Sequence, residues 1–221
     1  MKMSEQNSLR SIPNRPQLAL KNAVSAGVVQ DRASANRPNL SEPAFEKLIS
    51  RAYIGLGSNL AGPLGQISTA LLALQELPET TLLDCSGLYR NRAMTDPLAS
   101  PATTQPDFLN AVAAIDTSMT AQDLLKALLN QEIIQGRRRS GQHWEARCID
   151  LDLLLYGEQQ IQSHTLTVPH PGLHQRPFVI HPLVEIAPLI VIPGFGPAAQ
   201  VAKIIPTDSL TLVCQGNELM E

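Results

Sequence analysis

The chain has 221 residues, 43% of them hydrophobic, and a formal charge of −3 with an isoelectric point near 6.0. That is enough for one compact domain with a core, but there is no global basic field to draw it onto nucleic acid or an anionic membrane. Three scattered cysteines, Cys85, Cys148 and Cys214, lack a C-x-x-C spacing and argue against a disulfide framework or a zinc cage. No apolar run approaches the ~20 residues of a membrane span, and no secretory leader pattern is present, so reduced thiols and a cytoplasmic setting are expected.

Residues 1–50 are rich in Ser, Asn, Pro, Arg and Gln and read as a disordered extension. A strand is expected over 52–57, ending in the turn-forming Gly57-Ser58-Asn59. A helix follows: Pro63 suits its first turn, Leu64, Ile67, Leu71 and Leu74 share a face, and Pro78 closes the segment. A second strand is expected over 81–89, then a long loop over 90–105 with the character of a functional lid, then a third strand over 108–115. Thr120 and Asp123 form a capping-box-like start to a helix carrying Leu124, Leu125, Leu128, Leu129 and Ile133 and ending near Gly136. Arg137-Arg138-Arg139 leads past the only tryptophan, Trp144, into a fourth strand over 147–156. The fold class is therefore α+β, a ferredoxin-like βαββαβ antiparallel sheet with helices on one face, plus C-terminal additions. The expected division is an extension (1–50), one domain (51–206) and a C-terminal tail (207–221).

In the fourth strand, Ile149, Leu151, Leu153 and Leu155 alternate toward a core while Asp150 and Asp152 project together from the opposite face. Neighbouring carboxylates repel unless a cation or proton intervenes, and an oxygen-only pair suits magnesium better than zinc. The same spacing is also met in two solvated aspartates on an exposed strand. Arg137, Arg138, Arg139 and Arg147 precede the pair, and guanidinium groups with magnesium clamp polyphosphates. Arginines after a helix also complement its dipole. Trp144 reads either as a stacking surface for a flat ring or as a core residue. His170, between Pro169 and Pro171, lies on a stiff loop six residues before Arg176. The two either face one anion, or His170 holds a turn. Gly55-Leu56-Gly57-Ser58-Asn59 is glycine-rich but lacks the lysine of a P-loop.

Together, Tyr53-Ile54-Gly55-Leu56-Gly57-Ser58-Asn59-Leu60, Pro106-Asp107-Phe108-Leu109-Asn110, the stretch 132–139, Arg147-Cys148-Ile149-Asp150-Leu151-Asp152, Val168-Pro169-His170 and Arg176-Pro177-Phe178-Val179 resemble the 6-hydroxymethyl-7,8-dihydropterin pyrophosphokinase family over about residues 52–206. The resemblance implies a folate-pathway transferase that moves the pyrophosphoryl group of ATP to the pterin hydroxymethyl oxygen, giving AMP and the pterin diphosphate. It implies two magnesium ions on Asp150 and Asp152, with Arg137 and Arg147 joining them in catalysis. Glu132, Arg137, Arg139, Arg147, His170 and Arg176 correspond to the ATP site. Asn110, Phe108, Trp144 and Phe178 correspond to the pterin pocket. Small-molecule partners and a monomer are expected, with no nucleic acid and no membrane.

Some positions depart from the family pattern. Trp144-Glu145-Ala146-Arg147 stands where Trp-Gly-Pro-Arg is usual, and Asn91-Arg92-Ala93-Met94 replaces a Thr-Pro-containing stretch. His143 stands where arginine is frequent and Gln131 where isoleucine is. Three other readings compete: a different ATP-dependent kinase or nucleotidyltransferase, a catalytically silent RNA-binding module using the arginines and aromatics, and a degenerate family member, pointed to by Glu145 and the altered lid, that binds without turnover. Near-neutral charge and an aromatic content of 4% weigh against the second.

Overall fold

A computed structural model describes residues 48–93, 105–137 and 145–220, all of which fall in the second of two units, Phe45–Glu221. Strand β1 (Ser50–Ser58) lies between β4 (Phe108–Thr117) and β5 (Asp150–Tyr156), antiparallel to both. Helix α1 (Pro63–Gln75) starts after Gly62, whose φ of 76° lets the chain reverse before Pro63 fixes the first turn. Its buried stripe is Ile67, Ala70, Leu71 and Leu74. Leu64, expected on that stripe, is exposed in the first turn.

The second expected strand is two strands, β2 (Thr80–Cys85) and β3 (Leu88–Asn91), both paired with β4. The break falls at buried Ser86, whose N–H donates to the Val112 carbonyl at 2.9 Å while its Oγ accepts from the Val112 N–H at 2.9 Å. A serine side chain thus closes the ladder where the backbone leaves it. The main sheet runs β10-β3-β4-β1-β5, with β2 also on β4. Its outer strand β10 (Thr211–Cys214) pairs with β3, so part of the stretch expected as a tail belongs to the sheet, and helix α5 (Gly216–Met220) follows it.

Helix α2 (Ala121–Ile134) is capped as its sequence predicts: Thr120 Oγ1 accepts from the Asp123 N–H at 3.2 Å. Ala121, Leu124, Leu128 and Glu132 form its buried stripe, whereas Ile133 is exposed. Replacing Leu128 by Ala should therefore cost about 2–5 kcal/mol in denaturant unfolding and Ile133 by Ala well under 1, the difference between opening a core cavity and trimming a wet side chain.

Helices cover both faces of the sheet rather than one. On one face, Ile54, Leu56, Ala113, Ile115, Leu151 and Leu153 pack with residues of α1 and α2. On the other, Tyr53, Val112, Ala114, Leu154 and Leu155 pack with α3 (Pro177–Ile186) and α4 (Ala198–Lys203). The C-terminal additions thus close a second core that a strictly one-faced sheet would leave wet. Leu155 was expected beside Leu153. A bulge in β5, seen as a register shift between Tyr53 and Ile54 of β1, turns it to the α3 side. Two short hairpins, β6 (Ile161–Gln162) with β7 (Thr167–Val168) and β8 (Val191–Ile192) with β9 (Gly196–Pro197), flank α3 in sequence. No described helix is long and apolar enough to cross a membrane.

Candidate active site

The sheet face that α3 and α4 cover opens at one end because β1 carries no side chains there. Asp150 pairs with Gly57 and Asp152 with Gly55, and Asn110 stands across from Gly57 on β4. A Cβ on Gly57 would lie 2.9 Å from Asn110 Oδ1, so a larger residue would displace the amide and fill the space in front of the carboxylates. Phe108, Asn91, Asn110, Glu145, Phe178 and Val179 line an open pocket on this side. A second cleft is bounded by Leu125, Leu129, Arg137, Thr167, His170 and Pro171. Arg147, Asp150, Asp152 and Arg176 line both. The aspartate pair therefore sits at the junction of an aromatic pocket and a polar cleft.

The two aspartates are held differently. Asp150 accepts from Arg137 Nη1 on one oxygen and from Arg147 Nη1 at 2.7 Å on the other. Asp152 Oδ2 is 3.7 Å from both Arg176 Nη1 and His170 Nε2, beyond hydrogen-bonding distance. Burial, then the neighbouring Asp150 charge, push the Asp152 carboxyl up to about 7. Burial, then Arg176, hold His170 down at about 4, so its ring is neutral at pH 7. Its Nδ1 accepts from the Gly172 N–H at 3.1 Å, which leaves the proton on Nε2, facing Asp152.

Each cation is placed by local folding. Gly136, with φ 90°, ends α2 in a Schellman turn, with the Gly136 N–H on the Ile133 carbonyl at 3.0 Å and the Arg137 N–H on the Glu132 carbonyl at 2.9 Å. That reversal sends the Arg137 side chain back to the Glu132 carboxylate and on to Asp150. Glu132 is 1% exposed, and its Oε1 also accepts from the Leu151 N–H of edge strand β5 at 2.8 Å. Arg147 is fixed by Asn59, whose Oδ1 accepts the Arg147 N–H at 2.8 Å while the Asn59 and Leu60 N–H groups donate to the Arg147 carbonyl at 3.1 and 3.2 Å. Arg176 precedes Pro177 at the start of α3 and lies across Gly172.

Of the residues singled out from sequence, the structure brings together Phe108, Asn110, Glu132, Arg137, Arg147, Asp150, Asp152, His170, Arg176 and Phe178. Arg139 and Trp144 lie outside the described residues, as does most of the expected lid, 94–104. Glu132 faces inward as a support for Arg137 and Leu151 and belongs to the cleft wall rather than to its open surface. Sequence reading missed Asn59, Asn91, Gly172, Leu125 and Leu129 as parts of this site. For Asn59 the signal was its place in the turn after β1, where amides bond backbone. Among the described residues, no group of three or more His, Cys, Asp and Glu side chains could enclose a metal. The oxygen-only pair still fits magnesium, which takes one or two carboxylates and completes its shell with water and phosphate oxygens.

Residues 53–188 match the family model described as 7,8-dihydro-6-hydroxymethylpterin-pyrophosphokinase (HPPK). The chain belongs to the HPPK family. A 2-amino-4-hydroxy-6-hydroxymethyldihydropteridine pyrophosphokinase of Pseudomonas aeruginosa is 47% identical over 146 residues, covering 66% of this chain and 86% of the relative. Proteins of the same name from Haemophilus influenzae and a Synechocystis species are 45% and 34% identical, covering 65% and 81% of this chain and 85% and 89% of theirs. Among solved structures, a Plasmodium falciparum HPPK-DHPS triple mutant with pteroate superposes with a TM-score of 0.57 at 10% identity, over 76% of this chain and 47% of that one. An HPPK-DHPS complex with substrates gives 0.53 at 12% identity, over 70% and 43%. The chain thus spans less than half of those solved chains, and their likeness concerns the fold. They share with it the HPPK arrangement of an antiparallel sheet packed with helices.

Proposed function

We propose that this chain transfers the pyrophosphoryl group of ATP to 6-hydroxymethyl-7,8-dihydropterin, yielding AMP and the pterin diphosphate in folate biosynthesis. The observation that carries the reading is the position of Asp150 and Asp152, shared by a pocket walled by Phe108 and Phe178 and a cleft lined by cations. In the transfer, the hydroxymethyl oxygen bonds to the β-phosphorus as the bond from that phosphorus to the α,β-bridging oxygen breaks, the oxygen and the bond's electrons staying on AMP. AMP leaves and the alcohol proton is released.

Asp150 and Asp152 would hold two magnesium ions. Bound magnesium neutralises phosphate oxygens and lowers the pKa of the attacking alcohol. The chain's own residues do the positioning. Phe108 and Phe178 wall the ring pocket and Asn110 offers it a hydrogen-bonding amide. Arg137, Arg147 and Arg176 supply fixed positive charge along the phosphates, and neutral His170 presents an Nε2–H donor. Leu125 and Leu129 give the cleft an apolar wall suited to the adenine face. Glu145, where the family pattern has glycine, lines the ring pocket. We further infer that the enzyme works as a cytoplasmic monomer whose catalytic domain comprises residues 51–206 together with β10 and α5, which complete its sheet and core.

The test is product analysis after incubating the full chain with ATP, magnesium and 6-hydroxymethyl-7,8-dihydropterin. AMP formed only when the pterin is present is the expected result. ADP would mark an ordinary kinase, and no nucleotide product would overturn the reading. Gly172 gives a finer check. A Cβ there would stand 2.5 Å from Arg176 Nε and 2.8 Å from Cζ. The obstacle is a long side chain that yields cheaply, so Gly172→Ala should keep its melting temperature but swing Arg176 away. An increase of about 10-fold in the KM for ATP is expected from the lost charge contact.

A further inference from the structure

The floor of the aromatic pocket contains two buried amides, Asn91 of β3 and Asn110 of β4. Asn110 pairs with Tyr89, so Asn91, two residues further along its strand, lies on the same face and diagonal to it. Asn91 Nδ2 donates to the Arg92 carbonyl at 2.8 Å, which turns Asn91 Oδ1 toward Asn110. That oxygen accepts from Asn110 Nδ2. The remaining polar atom, Asn110 Oδ1, points over Gly57, 2.9 Å from where a Cβ would stand.

An asparagine amide is nearly symmetric in shape but not in polarity, since rotation by half a turn exchanges an acceptor for a donor. Left alone, Asn110 would present either end to a ligand. The Arg92 carbonyl orients Asn91, Asn91 orients Asn110, and the chain of donors ends with an acceptor facing the pocket. We propose that Asn91 is a positioning residue that fixes the polarity of Asn110 and so makes the pocket selective for a heterocycle with N–H donors on its pyrimidine edge. This rests on the pterin reading above, because a pterin carries a ring N–H and a 2-amino group on that edge. With the amide reversed, an N–H of the protein would oppose an N–H of the ligand, leaving both unsatisfied on burial. Asn91 belongs to the stretch that departs from the family pattern, and its side chain takes part in the pocket floor.

The test measures calorimetric Kd values for the reduced pterin and for its 2-oxo analogue, in which an acceptor replaces the 2-amino donor. Magnesium and a non-hydrolysable ATP analogue are present, and the Kd of the ATP analogue is measured separately. Asn91→Leu, similar in size but without an acceptor, should weaken pterin binding about 10- to 100-fold and compress the preference over the 2-oxo analogue. The ATP-analogue Kd should stay within about twofold, since Asn91 does not line the polar cleft. The loss of preference separates positioning from mere packing, since a variant that only loosened the pocket floor would weaken the pterin and its 2-oxo analogue alike. If the leucine variant does not fold, Asn91→Ala carries the same expectation. A leucine or alanine variant with unchanged pterin Kd, or one that is weakened with its preference over the 2-oxo analogue intact, would overturn the proposal. Wild-type protein that binds the ATP analogue but no pterin would instead overturn the functional reading on which it rests.

Discussion

Asp152→Asn is expected to lower turnover by about 10³-fold while leaving the metal-free protein at least as stable as the wild type. The two halves of the expectation have one cause. Asp152 has no hydrogen bond to Arg176 or His170, each 3.7 Å away, and burial beside Asp150 pushes its carboxyl up to about 7. An ionised carboxylate in that position is costly unless a cation joins it, which is the condition a metal ligand should meet. The sign of the pH effect follows. At low pH the position is protonated in both folded and unfolded chains, so nothing is lost. As pH rises from the ordinary carboxylate range toward 7, the unfolded chain ionises freely and the folded one resists, so metal-free stability falls. Chelator-treated wild type should therefore show a declining melting temperature across that window, magnesium should restore it, and Asp152→Asn should flatten the decline. A variant with unimpaired pterin-dependent AMP formation would show that Asp152 holds no essential cation.

What was legible in the sequence follows from what is local. The alternation of strand β5 places Asp150 and Asp152 on one face because a strand's period is two, and the structure agrees up to Leu154. It fails at Leu155 because a bulge adds a residue, and bulges leave no reliable mark in an apolar run. The α2 cap and its glycine stop were readable because Thr120, Asp123 and Gly136 act within one turn of themselves. The partners of the buried amides were not. Asn59 answers to Arg147, 88 residues away, and Asn110 to Asn91 across a loop. Such partners become neighbours only after the sheet has assembled. The second core was missed for a related reason: α3 looks like an appendage until Tyr53, Val112 and Leu155 are seen to need a cover. Some of the site could have been inferred further. Counting by fours from Leu124 through Leu128 places residue 132 on the buried stripe, and a glutamate there had to find a donor.

That glutamate gives the largest expected loss of stability. Glu132→Ala should destabilise the fold by about 3–5 kcal/mol. The Glu132 carboxylate accepts from the Leu151 N–H at 2.8 Å and from Arg137 Nη1, so its removal leaves an edge-strand N–H and a half-buried guanidinium short of an acceptor. Asp150 then becomes the chief remaining anion for Arg137, a stronger hold on the carboxylate proposed to take a cation. Glu132→Gln separates the two effects. Its amide oxygen can still accept from Leu151, so most of the stability should return, whereas the neutral group cannot share the charge of Arg137. Denaturant unfolding and magnesium titrations of activity together check this. Recovered stability with a raised magnesium requirement in the glutamine variant is expected. A glutamine variant as unstable as the alanine one would mean that the Arg137 charge pair, not the Leu151 hydrogen bond, carries the stability. A magnesium requirement unchanged from wild type would mean that Arg137 does not compete for Asp150. On the expected outcome, one buried carboxylate both completes the edge of β5 and keeps Arg137 from closing over Asp150, tying the core of α2 to the proposed chemistry at the end of the sheet.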